Sequence, residues 1–315
     1  MRRARLATRG SALAIAQARL VARLLEQAEP GLDVELRVVR TSGDERPAAP
    51  GTADDKSRWV REIEDALLAG DADLAVHSAK DVPGELPDGL AIVGVPARAD
   101  ARDALCGARS VEQLPSGALV GTSSLRRRAQ LLAARPDLRV GDLRGNVDTR
   151  LRRLDEGRFA AIVLAKAGLA RLGRTEGAPL DPEWMTPAPG QGCLALEARS
   201  DNHAAVELAE RVQDPTAALC LAAERSLVTA IGASCRTPLG AYAECVDGRL
   251  RLSAFVGHPD GSEWIRDALD GNPAAPGALG LQVAERLRLA GAGALLSSAE
   301  AEAEAAAAAE ASGAA

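Results

Sequence analysis

Leu119-Val120-Gly121-Thr122-Ser123-Ser124-Leu125-Arg126-Arg127-Arg128 holds the transition on which the fold turns. Residues 119–122 read as a short apolar strand, the hydroxyls that follow suit a helix N-cap, and the sequence beyond suits a helix. Strand, polar turn and helix in succession are the unit of α/β architecture. Further on, residues 138–143 and 160–165 read as strands, each followed by helix-compatible sequence. Toward the N-terminus the alternation is already present: a strand near Leu6, an amphipathic helix over 11–27, and a strand over 34–39. A helix built on Trp59, Ile63 and Leu67 and strands over 74–76 and 90–95 continue it. Pro189-Gly190-Gln191-Gly192 is a turn-rich break, after which residues 193–197 read as a strand able to return to the first sheet. The two crossings, near residues 95–99 and 187–192, predict a hinge that closes lobes around a ligand.

From Asp214 the pattern changes to a helix through residue 228, then strands over 241–246 and 249–256 joined by Asp247-Gly248, a hairpin turn pair. A short strand near Trp264 and a helix over 278–289 follow. The expected architecture is thus two α/β domains and a small α+β domain. Residues 1–96 with 191–212 form the first, 97–190 the second and 213–298 the third, and 299–315 is a low-complexity Ala/Glu tail.

Composition narrows the function. A net charge of −6 argues against a nucleic-acid binder, and the few aromatics provide no stacking platform for bases. No apolar run approaches the roughly 20 residues a membrane span needs, and Arg9, Gln17 and Arg19 interrupt any signal-peptide core. The five cysteines show no C-x-x-C pair, which speaks against a zinc site or a disulfide framework and fits a cytoplasmic protein without a metal. Lysine is confined to Lys56, Lys80 and Lys166 in an arginine-rich chain, so each is a candidate for a task a guanidinium cannot perform.

The chemistry-bearing residues cluster at strand ends. Thr122, Ser123 and Ser124 stand where free N–H groups and the helix dipole favour an anion, and hydroxyls there are also ordinary caps. Arg126, Arg127 and Arg128 repel one another in that first turn, so they are expected either to meet an anionic ligand or to form a solvated face. On the first expectation, replacing Arg126 or Arg127 by Leu relieves repulsion in the ligand-free protein. Arg144-Gly145-Asn146-Val147-Asp148-Thr149-Arg150 and Arg9-Gly10-Ser11 repeat the arrangement, either as guanidinium forks for a polycarboxylate or as scattered surface arginines. His77-Ser78-Ala79-Lys80-Asp81-Val82-Pro83 places Lys80 and Asp81 at a strand's carboxyl end, to hold an anion and to handle protons or stabilise a cation. Gly232-Ala233-Ser234-Cys235-Arg236-Thr237-Pro238 puts one thiol in a loop beside an arginine that favours the thiolate. The other cysteines, Cys106, Cys193, Cys220 and Cys245, are expected to be inert packing residues.

These stretches, taken in order with residues 6–8 and 143–150, resemble the successive motifs of the porphobilinogen deaminase family over about residues 5–290. The resemblance implies two lobes similar to type II periplasmic binding proteins with an active-site cleft between them. It implies a dipyrromethane cofactor joined by a thioether to Cys235, porphobilinogen as substrate, and a monomer. Asp81 matches the family's catalytic aspartate. Arg9, Ser11, Lys80, Thr122, Ser123, Ser124, Arg126, Arg127, Arg144 and Arg150 match residues that hold acetate and propionate side chains, and Lys56 and Ser78 are counted with them. Each pyrrole carries two carboxylates, so a growing chain calls for many cationic forks. Loss of ammonia leaves an electron-poor azafulvene, which a carboxylate such as Asp81 stabilises. The sequence departs from the family in one place: Asp54-Asp55-Lys56-Ser57 stands where a Gly-Gly-Lys-Gly stretch is usual, in a 41–57 segment rich in Pro, Gly and Asp that reads as a flap. The rival readings are a non-catalytic polycarboxylate-binding module, which leaves Cys235 without a task, and a phosphate-transferring enzyme, for which no P-loop pattern is present.

Overall fold

The computed structural model of the chain describes residues 2–41, 57–233, 237–299 and 301–302. Lys56, Cys235, most of the expected flap and most of the Ala/Glu tail lie outside the described residues.

Local signals set the junctions. β1 (Arg2–Arg9) runs into Ser11, whose Oγ accepts the Ala14 N–H at 3.2 Å and caps α1 (Ala12–Ala28). Gln17, Ala18, Val21, Ala22 and Leu25 form the buried face of α1, a three-to-four spacing that lays one stripe of the helix on a sheet. β2 (Leu32–Val39), α2 (Ser57–Leu68), β3 (Leu74–Ser78) and β4 (Leu90–Gly94) follow. The strand expected over 193–197 is β10 (Leu194–Arg199), and it does return to the first sheet. That sheet has the order β2-β1-β3-β10-β4, with β1 parallel to β2 and β3 and β10 antiparallel to both its neighbours.

The second sheet repeats this plan. It comprises β5 (Asp103–Cys106), β6 (Leu119–Gly121), β7 (Arg139–Gly141), β8 (Ala161–Ala165) and β9 (Ala178–Pro179) in the order β7-β6-β8-β5-β9. β6 is parallel to β7 and β8, and β5 is antiparallel to β8 and β9. Helices α3 (Leu125–Ala134), α4 (Val147–Asp155) and α5 (Lys166–Arg171) each start at the carboxyl end of a strand of this sheet. Each sheet therefore receives one antiparallel strand directly after a crossing, β5 after the first and β10 after the second. The sequence alone assigns no element to residues 103–106. All four are buried, so the segment shows no alternation, and it is too short to show a period of its own.

α6 (His203–Glu210) leads into the α+β unit: α7 (Pro215–Ile231), β11 (Leu239–Val246), β12 (Arg249–Gly257), β13 (Trp264–Gly271) and α8 (Pro276–Leu289). Asp247 and Gly248 have φ of 49° and 76°, the paired positive values that a tight hairpin between right-twisted strands requires. Cys220, Leu227, Ala241, Leu250, Val283 and Leu287 belong to the core between these helices and this sheet. Glu224 of α7, fully buried, ties the unit to both crossings. It accepts from Arg98 at 2.7 Å, from the Gly190 N–H at 2.6 Å and from the Ala243 N–H at 2.7 Å, while Arg98 Nε donates to Gln191 O at 3.0 Å.

Cys106, Cys193 and Cys220 are buried, as expected of packing residues, but Cys245 is exposed. It is the penultimate residue of β11, where the strand runs out toward the Asp247-Gly248 turn. No helix among the described residues is long and apolar enough to cross a membrane.

Candidate active-site cleft

β3 extends through Ser78, so Lys80 and Asp81 fall in a single 3₁₀ turn, Ala79–Asp81, at its carboxyl end. Gln17 of α1 donates to Ser78 Oγ at 2.7 Å and holds this strand end from behind. The second crossing touches the turn directly. A Cβ at Gly190, whose φ is +74°, would lie 2.9 Å from both Ala79 C and Lys80 N, so the approach requires glycine.

Across from this turn stands the N-terminus of α3. Ser124 caps it by accepting from Arg127 N at 3.4 Å, Thr122 Oγ1 accepts from Ser124 N at 3.2 Å, and Ser123 Oγ donates to Leu143 O at 2.5 Å. All three hydroxyls thus have local structural partners. Arg128 is exposed, but Arg126 and Arg127 are buried, to 4% and 5% residual exposure. Their anion is part of the protein. Arg126 Nη1 donates to Asp103 Oδ2 at 2.7 Å, and Arg127 donates from Nη2 at 2.7 Å and from Nε at 3.0 Å to Oδ1. Thr186 O and Val163 O take further guanidinium protons, and Gln191 Nε2 adds a donor to Asp103 at 3.0 Å.

These arginines therefore neither await a ligand as their first anion nor form a solvated face, because Asp103 of the protein itself pairs with both. Replacing either by Leu would therefore not simply relieve repulsion, because the change would leave Asp103 buried with half of its compensation. Burial alone would raise the Asp103 carboxyl, yet Arg126, Arg127 and the hydrogen bonds they donate hold it well below the ordinary carboxylate range. Burial depresses the Arg126 guanidinium, against the opposing pull of Asp103, and its Nε is buried without a partner.

These elements enclose a cavity of about 440 Å³, lined among others by Lys80, Asp81, Ser124, Arg126, Arg127 and Arg225. Arg225, on α7, donates to Pro83 O and Gly84 O at 2.9 Å each, so the third unit grips the chain just past Asp81. Four cations face the cavity against Asp81 and, behind the wall, Asp103, leaving an excess of two positive charges. Lys80 feels this. Burial brings its ammonium down to about 8, with Asp81 opposing and Arg127 adding to the shift. A group depressed in this way regains its proton when an anion arrives. Ala233 and Thr237, the described residues on either side of 234–236, line the same cavity.

Other expected site residues are not drawn into the cavity wall. Ser11 caps α1, Arg144 pairs with Asp142 at 2.7 Å, Arg150 Nε donates to Gly145 O at 2.7 Å, and Arg9 ends β1. Sequence reasoning missed Asp103, Gln191 and Arg225. Asp103 belongs to a strand with no sequence signal of its own, Gln191 belongs to a turn whose glycines and prolines carry the local signal, and nothing distinguishes Arg225 among so many arginines. A depression of about 610 Å³, near α4, is lined by Asp148, Arg174 and Glu176, and Arg174 pairs with both carboxylates. Among the described residues no group of three or more His, Cys, Asp or Glu could hold a metal ion.

A family model described as porphobilinogen deaminase, dipyromethane cofactor binding domain, matches residues 4–207, and one described as porphobilinogen deaminase, C-terminal domain, matches residues 218–288. The chain belongs to the porphobilinogen deaminase family. The porphobilinogen deaminase of Syntrophobacter fumaroxidans is 45% identical over 293 residues, 91% of this chain and 95% of its own. That of Thermus thermophilus is 46% identical over 282 residues, 88% of this chain and 92% of its own. Among solved structures, the periplasmic VFT2 domain of Bordetella pertussis BvgS overlaps 67% of this chain and 86% of its own at 16% identity and a TM-score of 0.38. The fold of this porphobilinogen deaminase family member rests on its own strand orders and not on that overlap.

Proposed function

We propose that this cleft performs the porphobilinogen deaminase reaction: head-to-tail condensation of four porphobilinogen units on a covalent dipyrromethane primer, with release of ammonia, to give hydroxymethylbilane. The observation that carries the assignment is the excess of positive charge around a cavity whose lining includes one carboxylate, Asp81. A non-catalytic module would need the cations but gives that carboxylate and the Cys235 loop no task.

The donor set fits the cofactor. Lys80, Arg126 and Arg127 converge from two sheets on one cavity whose wall also carries Arg225, a set of cations suited to the cofactor's carboxylates. Cys235, between the cavity-lining Ala233 and Thr237 in sequence, is the assigned attachment point. When bound, the dipyrromethane supplies the nucleophilic pyrrole carbon at which growth begins. Lys80, Ser124, Arg126 and Arg127 bind and orient carboxylates, with the geometry of the two arginines fixed in advance by Asp103. Arg9, Ser11, Lys56, Ser78, Thr122, Ser123, Arg144 and Arg150 are assigned to ligand carboxylates on the family motifs alone. Asp81 faces the positive charge that develops on porphobilinogen as ammonia leaves. Its carboxylate oxygen then takes the proton displaced from the carbon that is attacked.

The division into residues 1–96 with 191–212, 97–190 and 213–298 belongs to the same reading, as does a cytoplasmic monomer that engages neither nucleic acid nor membrane. The net charge of −6 supports the absence of a nucleic-acid partner. Intact mass tests the assignment. The wild-type protein carries a dipyrromethane adduct and Cys235→Ala has its unmodified mass and makes no bilane; an adduct-free wild type or an active Cys235→Ala variant overturns the proposal.

A further inference from the structure

The exposure of Cys245 matters because of where its side chain points. β11 and β12 are antiparallel, and Cys245 stands directly opposite Leu250. Directly opposed residues project to the same face of a sheet. Leu250 is fully buried in the same core cluster as Cys220 of α7. The alternation of β11 agrees: Leu239, Ala241 and Ala243 are buried toward the helices, and Cys245 continues that row. Cys245 therefore faces α7 at the solvent end of the core, on the Cys220 side: Glu224 accepts from Ala243 N, Cys220 lies one helical turn before Glu224, and Cys245 lies two strand residues beyond Ala243. Cys220 is 3% exposed, whereas Cys245 is an exposed residue.

We propose that Cys220 and Cys245 form a redox-sensitive dithiol that closes to a disulfide on exchange with a low-molecular-weight disulfide. The exposed Cys245 thiolate attacks one sulfur of the small disulfide and expels the other as a thiolate. Cys220 then attacks Cys245 Sγ, its proton passing to the second departing thiolate. The protein loses two hydrogens and the small disulfide is reduced to two thiols. Burial, the Glu224 charge and the neighbouring Cys245 push the Cys220 thiol up to about 12, so the second step is the slower one. Capping Cys245 removes part of that barrier, because its charge is among the causes.

The place of the pair gives the bond a consequence. Cys220 precedes Glu224 by one helical turn, and Cys245 follows Ala243, the residue whose N–H Glu224 accepts. The disulfide would bracket that contact and pin α7 to β11 beside the Arg98–Glu224 link to the crossings. The closed loop, residues 221–244, contains Cys235. The inference does not depend on the assignment of Cys235 or of the cleft.

The test treats the purified protein, with whatever adduct it carries, with oxidised glutathione, then alkylates free thiols and maps peptides without reduction. The expected product is a Cys220–Cys245 cross-linked peptide, with a thermal midpoint raised by a few degrees and reversed by dithiothreitol. Cys245→Ser should block the cross-link, and Cys220→Ser should retain a stable glutathione adduct on Cys245. Recovery of both wild-type thiols in alkylated form overturns the proposal. So does a wild-type product that stops at the mixed disulfide, or a bond that maps to Cys106 or Cys193.

Discussion

Replacing Asp103 by Asn tests whether the cleft arginines depend on an internal counter-ion. The carboxylate takes Arg126 on Oδ2 and both Arg127 and Gln191 on Oδ1. An amide keeps one acceptor oxygen and turns the other into a donor, which must face either Arg126 or the Arg127–Gln191 pair. The charge is lost as well, and two guanidiniums remain buried with no anion. Breaking a buried ion pair from one side costs about 3–5 kcal/mol, and the enclosed geometry puts Asp103→Asn in that range. Urea unfolding measures it, and adding citrate should restore more stability to the variant than to wild type, because the released forks now bind an external polycarboxylate. The pH dependence has a definite sign. A carboxyl depressed in the folded state contributes its full stability above its unfolded value, about 4, and loses it as pH falls toward the folded value. Wild type should therefore lose stability below about pH 4 more steeply than the variant. A variant within about 1 kcal/mol of wild type, with no extra response to citrate, would refute the reasoning.

The remaining predictions concern the turn after β3. Asp81→Asn should bind porphobilinogen yet lose roughly two or more orders of magnitude in single-turnover ammonia release, since the amide lacks both the charge and the basicity; release at the wild-type rate places the catalytic group elsewhere. Lys80, brought down to about 8, is charged below that pH and neutral above it, so affinity for a carboxylate ligand should fall as pH rises through about 8. Lys80→Met should flatten that step in a binding titration. In stability the sign is opposite: between about 8 and the unfolded value the unfolded chain binds the extra proton, so this group's contribution rises with pH.

What could be read from the sequence was what is encoded within a few residues. Ser11, Ser124, Asn146 and Asp214 cap helices through side-chain contacts three residues away, so the helix starts were legible. The Asp247-Gly248 turn carries its backbone requirement in its own residue types. The ordered motifs carried the family and the identity of the cleft loops. Tertiary structure alone decided which charges meet. Asp103 contacts Arg126 across 23 positions and Gln191 across 88, and Arg225 reaches Pro83 across 142. No local pattern specifies such pairings, because they depend on where β5 enters the second sheet and on how the crossings return. For the same reason, arginines expected to await a ligand anion are already held by a carboxylate of the protein, and the ligand is left to answer only the charge that remains.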